Sequence, residues 1–166
     1  MIDVPIKNKD VLNVLDRWLW YYDNREDLKK VVRLHGKPTE RDFYVGKKHR
    51  DEIIAMDTNH EGFPDSVHGY SLKSDRIEFL KGNNPENANY IAKFSELNTE
   101  LCHILSSRNN VLAQLYPPDG HISWHNNANA SAYNIIFSWS ETGDGCFKYI
   151  DGHTGNEVVM QDVKGW

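Results

Sequence analysis

The chain has few cysteines and no long apolar run, and both features limit the classes of protein to which it can belong. Cys102 and Cys146 are the only cysteines in 166 residues. Two thiols do not suggest a disulfide framework, and they cannot build a zinc site by themselves. No segment approaches the roughly eighteen apolar residues of a transmembrane helix, and the N-terminus lacks the apolar stretch of a signal peptide. We therefore expect no membrane span, and the reducing cytoplasm is the simplest compartment.

An excess of positive charge is also missing. The 19 lysines and arginines are outnumbered by 24 aspartates and glutamates, so the net charge is −5. The basic residues are scattered among acids, which disfavours a general phosphate-binding surface and a nucleic-acid partner. The aromatic share of 11% argues for a packed core rather than a disordered chain. At this length we expect a single domain over residues 1–166.

The N-terminal part, residues 1–109, is predicted to be mainly helix and loop. Apolar residues at helical spacing indicate a helix over 9–22, and a second short helix is expected over 25–34. The run Asn84-Pro85-Glu86 is a typical helix start, and the apolar face behind it extends to about Ser107. Residues 38–82 mix short apolar groups with Gly, Pro and charge, which fits either strands or ordered loops.

From Asn110 the hydrophobic period changes to two, which predicts antiparallel β structure over residues 110–166. Pro117 to Gly120 reads as a turn, and a strand over 121–127 follows it. A further strand is expected over 133–139, and a hairpin joins strands near 146–150 and 157–160. The predicted fold class is therefore α+β, with a helical N-terminal half packed on an antiparallel β core.

The predicted strand 121–127 carries one polar face. Ile122 and Trp124 point one way, and the opposite face holds His121, Ser123, His125 and Asn127. A strand inside a sheet should not bury such a face unless these groups are paired or bind something. One interpretation makes the two histidines interior residues of a β sandwich, hydrogen-bonded to nearby asparagines.

The run from Tyr116 to Asn127, YPPDGHISWHNN, resembles the Tyr-x-Pro…Trp-His-x-Asp metal-binding strand of iron(II)- and 2-oxoglutarate-dependent dioxygenases. The AlkB-like and prolyl-4-hydroxylase-like branches are the nearest. The HNNANA and WSETGDG runs are similar to small oxygenase-like proteins encoded by phages, which would place the chain in a host cytoplasm. The resemblance implies a double-stranded β-helix (jelly-roll) core flanked by helices, and an incomplete core in this chain.

The resemblance also implies roles for individual residues. His125 would be the first iron ligand, and Asn127 takes the place of the carboxylate ligand. Gln114 and Tyr116 match positions that bind 2-oxoglutarate. The implied cofactors are Fe(II) and 2-oxoglutarate, and the implied reaction hydroxylates a C–H bond, with a protein side chain slightly ahead of a nucleobase as substrate. Residues 38–82 would form a substrate lid.

The chain departs from the family pattern at three places. Asn127 is an amide, the only histidine after His125 is His153 at a predicted hairpin tip, and the last arginine is Arg108. Either the chain is a fragment, or it is a shortened relative that has lost the chemistry. The second case predicts a non-catalytic binding or structural protein, such as a phage assembly component, whose open sheet edge is covered by a partner or a second copy.

Two other classes fit the sequence less well. A cupin would have His-x-His, and His125-Asn126-Asn127 lacks it. A serine or cysteine hydrolase is disfavoured because the chain has no Gly-x-Ser-x-Gly run and neither cysteine has a convincing histidine partner.

Overall fold

The computed structural model describes residues 4–23, 36–71, 85–108, 113–127 and 134–166. The chain divides into two compact units. The larger unit is Lys9–Ala130, and the smaller unit is Met1–Asn8 with Ser131–Trp166. The described parts contain helices and small two-stranded antiparallel sheets, so the predicted mixture of helix and antiparallel sheet is present in this coarse sense. The jelly-roll core stays a prediction, since the sheets that the structure describes have two strands each. The single domain also stays a prediction.

The core of the larger unit lies between its two long helices. Helix α1 spans Lys9–Asp23 and helix α4 spans Pro85–Ile104, so both predicted helices are confirmed. The buried side chains of the two helices follow helical spacing; they are Val11, Val14, Leu15, Phe94, Leu97 and Leu101. The helix expected over 25–34 lies outside the described residues. Over the described ranges, no helix combines the length and apolarity that crossing a bilayer requires.

Residues 38–59 are helical, so the prediction of strands or loops there was wrong. A 3₁₀-helix at Pro38–Glu40 precedes α2 (Arg41–Tyr44), and α3 (Lys47–Met56) precedes a 3₁₀-helix at Asp57–Asn59. The buried residues of α3 are His49 and Ile53, one helical turn apart. The buried face of α3 is hard to recognise in the sequence, because a histidine occupies the first of these positions and charged residues surround it.

A short β ladder follows in the larger unit. Strand β1 (Val67–His68) pairs with β4 (His121–Ile122), and β2 (Tyr70–Ser71) pairs with β3 (Gln114–Leu115), both antiparallel. Strands β3 and β4 are separated by the predicted Pro117–Gly120 turn. A 2.7 Å hydrogen bond from the Gly120 amide to the Pro117 carbonyl confirms this turn. Gly69 lies between β1 and β2, where the pairing changes from β4 to β3. The backbones approach closely at this point, because a Cβ at Gly69 would lie 2.9 Å from the Leu115 carbonyl oxygen.

The predicted strand over 121–127 is much shorter in the structure. Strand β4 ends at Ile122. Two residues later the Trp124 amide donates to the Tyr44 carbonyl at 3.1 Å, and so the chain leaves the ladder for the end of α2. The Ser123 amide still bonds the Ser66 carbonyl, so the alternation premise fails only for residues 124–127.

The smaller unit is built on one hairpin, which confirms the prediction for this region. Strand β5 (Cys146–Ile150) pairs antiparallel with β6 (Glu157–Gln161), with Lys148 opposite Val159. The predicted strand over 133–139 is not formed in its described part, residues 134–139. Only at Ser140 does this segment make a β bridge, to Gly165. Its apolar alternation finds no ladder partner among the described residues.

Candidate functional site

The polar segment 121–127 is fixed in the larger unit by main-chain bonds on both sides. Toward β1, the Ser123 amide donates to the Ser66 carbonyl at 2.8 Å, and the Ser123 hydroxyl accepts from the Ser66 amide at 3.3 Å. Toward α2, the Trp124 indole donates to the Val45 carbonyl at 3.0 Å, beside the bond of its own amide. These bonds set where the next residue, His125, lies.

His125 is half-buried, and one of its ring nitrogens is bonded to the main chain. Its Nδ1 atom lies 2.8 Å from the Ser123 carbonyl oxygen. A carbonyl only accepts, so this nitrogen carries a proton, and in the neutral imidazole Nε2 keeps its lone pair. Metal-binding histidines usually have this arrangement, in which a backbone carbonyl fixes the tautomer and the ring orientation. His125 is therefore chemically suited to bind a metal through Nε2.

The second predicted ligand, Asn127, is exposed. Its neighbour Asn126 faces the protein instead: its side-chain oxygen lies 3.2 Å from His60 Nδ1, and its amide nitrogen donates to the Asp57 carbonyl at 3.3 Å. Because β4 ends before these residues, the structure does not support the prediction that His125 and Asn127 share one strand face.

Gln114 and Tyr116, the two predicted cosubstrate residues, do lie together. The Tyr116 hydroxyl donates to the Gln114 side-chain oxygen. Burial around the phenol group raises the pKa of Tyr116 to about 12, although 40% of the residue surface remains exposed. Within the described part of the chain, no hydrogen bond joins this pair to His125 or Asn127. Of the two predicted pairs, the described contacts therefore bring together Gln114 and Tyr116 alone.

The described residues do not fit a complete iron site. Across them, no group of three or more His, Cys, Asp or Glu side chains is placed to hold a metal ion. His153 lies in the exposed turn of the hairpin, where its amide donates to the Asp151 carboxylate at 2.9 Å. A facial triad needs two further ligands beside His125, and they would have to come from outside the described residues.

A buried group of histidines and serines was only partly anticipated by the sequence pattern. Ser66, His68, His121 and Ser123 are all 8% exposed or less. The alternation from residue 121 did predict that His121 and Ser123 need partners, and the structure supplies Ser66, whose hydroxyl lies 3.1 Å from His121 Nε2. Ser66 and His68 could not be found from sequence spacing, since they are some fifty residues away in an irregular stretch.

The electrostatics of His121 follow from this burial. Desolvation lowers its pKa, and the neighbouring His68 and Arg41 lower it further, while the Asp119 backbone and the Glu40 carboxylate oppose the shift. Its Nδ1 atom is buried and lies outside good hydrogen-bond geometry to any described partner. Burial therefore favours the neutral form of His121.

Comparison with known proteins adds no family to these observations. No family model matches the sequence, and neither a curated protein nor a solved structure matches the chain.

Proposed function

We propose that this chain is an Fe(II)- and 2-oxoglutarate-dependent oxygenase-like protein in which His125 supplies one metal ligand. The observation that carries the proposal is the 2.8 Å contact between His125 Nδ1 and the Ser123 carbonyl oxygen, which leaves Nε2 free to ligate. The run from Tyr116 to Asn127 supplies the family resemblance. The jelly-roll core and a protein side chain as substrate belong to the same proposal.

The proposal has a defined gap, because the described residues supply one ligand and not three. Asn127 is exposed, and its amide oxygen can ligate a metal without adding negative charge. The remaining ligands would come from residues outside the described ranges or from a second chain.

The test is an anaerobic Fe(II) titration of the chain with 2-oxoglutarate, followed by visible absorption and calorimetry. We expect saturable binding that His125→Ala abolishes and that His153→Ala, which removes an exposed histidine of the hairpin turn, leaves unchanged. Asn127→Asp should tighten binding, because a carboxylate neutralises part of the metal charge. Binding that survives in His125→Ala would remove His125 from the site.

A second candidate is a non-catalytic binding or structural protein, such as a phage assembly component. The observation in its favour is that polar side chains of segment 121–126 are engaged in internal hydrogen bonds, from His121 to Ser66 and from Asn126 to His60. This candidate predicts a folded chain with no His125-dependent metal binding in the same titration. It also predicts that Asn127→Asp leaves metal affinity unchanged.

A further inference from the structure

Two histidines face each other across the buried side of the short ladder. The register of β1 and β4 places His68 opposite His121, and their ring centroids are 6.2 Å apart. Directly opposed residues of an antiparallel pair point to the same face. Both residues are buried, with 8% and 5% of their surfaces exposed. Protonation of a ring in this pair therefore changes the free energy with which β1 and β4 pair.

The bonds around the pair suit a neutral His121. The Ser66 hydroxyl lies 3.1 Å from His121 Nε2, and the same serine exchanges bonds with Ser123 through its amide and its carbonyl. Among the described residues, no carboxylate is hydrogen-bonded to the His121 ring. A buried imidazolium without such a partner is costly, because the low-dielectric surroundings do not solvate its charge.

Charged groups from three directions surround His121. His68 lies opposite on β1, and Arg41 and Glu40 come from the helical segment that precedes α3. Asp119 is on the adjoining turn, where its carboxylate binds Arg41 at 3.1 Å and its backbone lies near the His121 ring. Two of these groups, Arg41 and a protonated His68, would repel a proton on His121, and Glu40 and the Asp119 backbone would attract one.

We propose that the His68–His121 pair makes the β1–β4 ladder an acid-labile latch. The latch holds segment 121–127 against β1 and α2 at neutral pH and releases it in mild acid. The segment includes His125, so the same event would displace the residue with the free imidazole nitrogen. The latch is independent of the proposed function, because it needs only the ladder and its buried histidines.

The sign of the effect follows from linkage. The pKa of His121 is lower in the folded chain than in the unfolded chain, so the unfolded state binds more protons as the pH falls. Closure of the ladder is therefore fully favoured above the ordinary histidine pKa of about 6.5 and weakens below it. The closed-to-open ratio falls by at most about tenfold per pH unit through the protonation of His121.

Amide hydrogen exchange of the 166-residue chain tests the latch. The reporters are the Ser123 and Trp124 amides, which donate to Ser66 and Tyr44. Between about pH 7.5 and about pH 5.5, after correction for intrinsic exchange, we expect their protection to fall by up to about tenfold, which is the limit for one histidine. The Asp162 amide, which donates to Gly145 in the smaller unit, should keep its protection. Equal protection of the reporters at both pH values would overturn the proposal.

His121→Gln is the informative variant, since glutamine can still bond Ser66 but cannot be protonated. We expect it to remove the pH dependence of the two reporters, and His153→Gln to leave that dependence intact. A pH dependence that persists in His121→Gln contradicts the latch. If this variant does not fold, imidazole nitrogen NMR of the unmodified chain decides: a pKa of His121 at or above about 6.5 contradicts the proposal.

Discussion

Gly36 is a residue of the larger unit at which the backbone tolerates a side chain poorly. Its φ angle is +121°, a conformation that residues with a side chain rarely adopt. A Cβ atom there would also lie 2.7 Å from the Ser66 hydroxyl and from the Val67 carbonyl oxygen. Gly36 therefore combines backbone freedom with a close approach to the strand that pairs with β4.

The substitution Gly36→Ala should destabilise the chain strongly. Strain and the clash with β1 act together, and we expect the free energy of unfolding to drop by about 2–4 kcal/mol. Urea denaturation at neutral pH measures the change. Gly152→Ala is the matched control, because a Cβ at Gly152 meets no atom within 4 Å. Equal losses in the two variants would show that the contact with Ser66 and Val67 does not matter.

The sequence predicted the polar residues of the ladder but not their partners. The alternation after residue 120 identified His121 and Ser123 because strand facing is a local property. Ser66 and His68 come from a part of the chain without a recognisable pattern, and the contact that joins them to residues 121–123 is long-range. The free nitrogen of His125 depends on a main-chain bond, which no residue type reveals.

Helices α1 and α4 are joined by a charged bridge beside their apolar contact. The Arg17 guanidinium binds both carboxylate oxygens of Glu100, at 2.9 and 2.8 Å, and one oxygen of Glu96 at 3.1 Å. Trp18, the next residue, packs on Phe94 with ring centroids 5.4 Å apart. The charged bridge and the aromatic contact therefore link the same two helices at neighbouring positions.

A double-mutant cycle of Arg17→Met and Glu100→Gln tests this bridge. The side chains are 35% and 39% exposed, so solvent weakens the pair, and we expect a coupling energy of about 0.5–1 kcal/mol that shrinks in high salt. The single-contact pair of Lys47 and Asp51 within α3 is the control and should couple less. A larger coupling in the control would contradict the importance of the two-point contact.

At the scale of elements, local periodicity in the sequence was enough to predict α1, α4 and the β5–β6 hairpin. Each has a regular apolar pattern with clear start or turn residues. It was not enough for α3, where a buried histidine takes an apolar position, or for residues 134–139, where the pattern of a strand meets no partner in the described chain. A strand exists only when another segment bonds to it, and sequence alternation cannot supply that segment.

At the scale of the whole molecule, the two units differ in how they are stabilised. The larger unit buries a helical core in which Val14 and Leu97 are fully covered. In the smaller unit no described side chain is buried, and its large apolar residues Ile135, Ile136 and Val163 are 57–68% exposed. A two-stranded hairpin without a buried face is only marginally stable in water. The two units should therefore open at different free energies.

Hydrogen exchange should resolve this difference residue by residue. We expect the paired amides of β5 and β6 to be protected at least about tenfold less than the central amides of α4, because hairpin opening exposes no buried core. Leu97→Ala separates the two units further: its cavity should cost about 2–5 kcal/mol and lower protection in α1 and α4. The hairpin amides should be unaffected by Leu97→Ala, since they exchange through their own opening. Hairpin protection that matches α4 and falls with it would mean instead that both units unfold in one cooperative step.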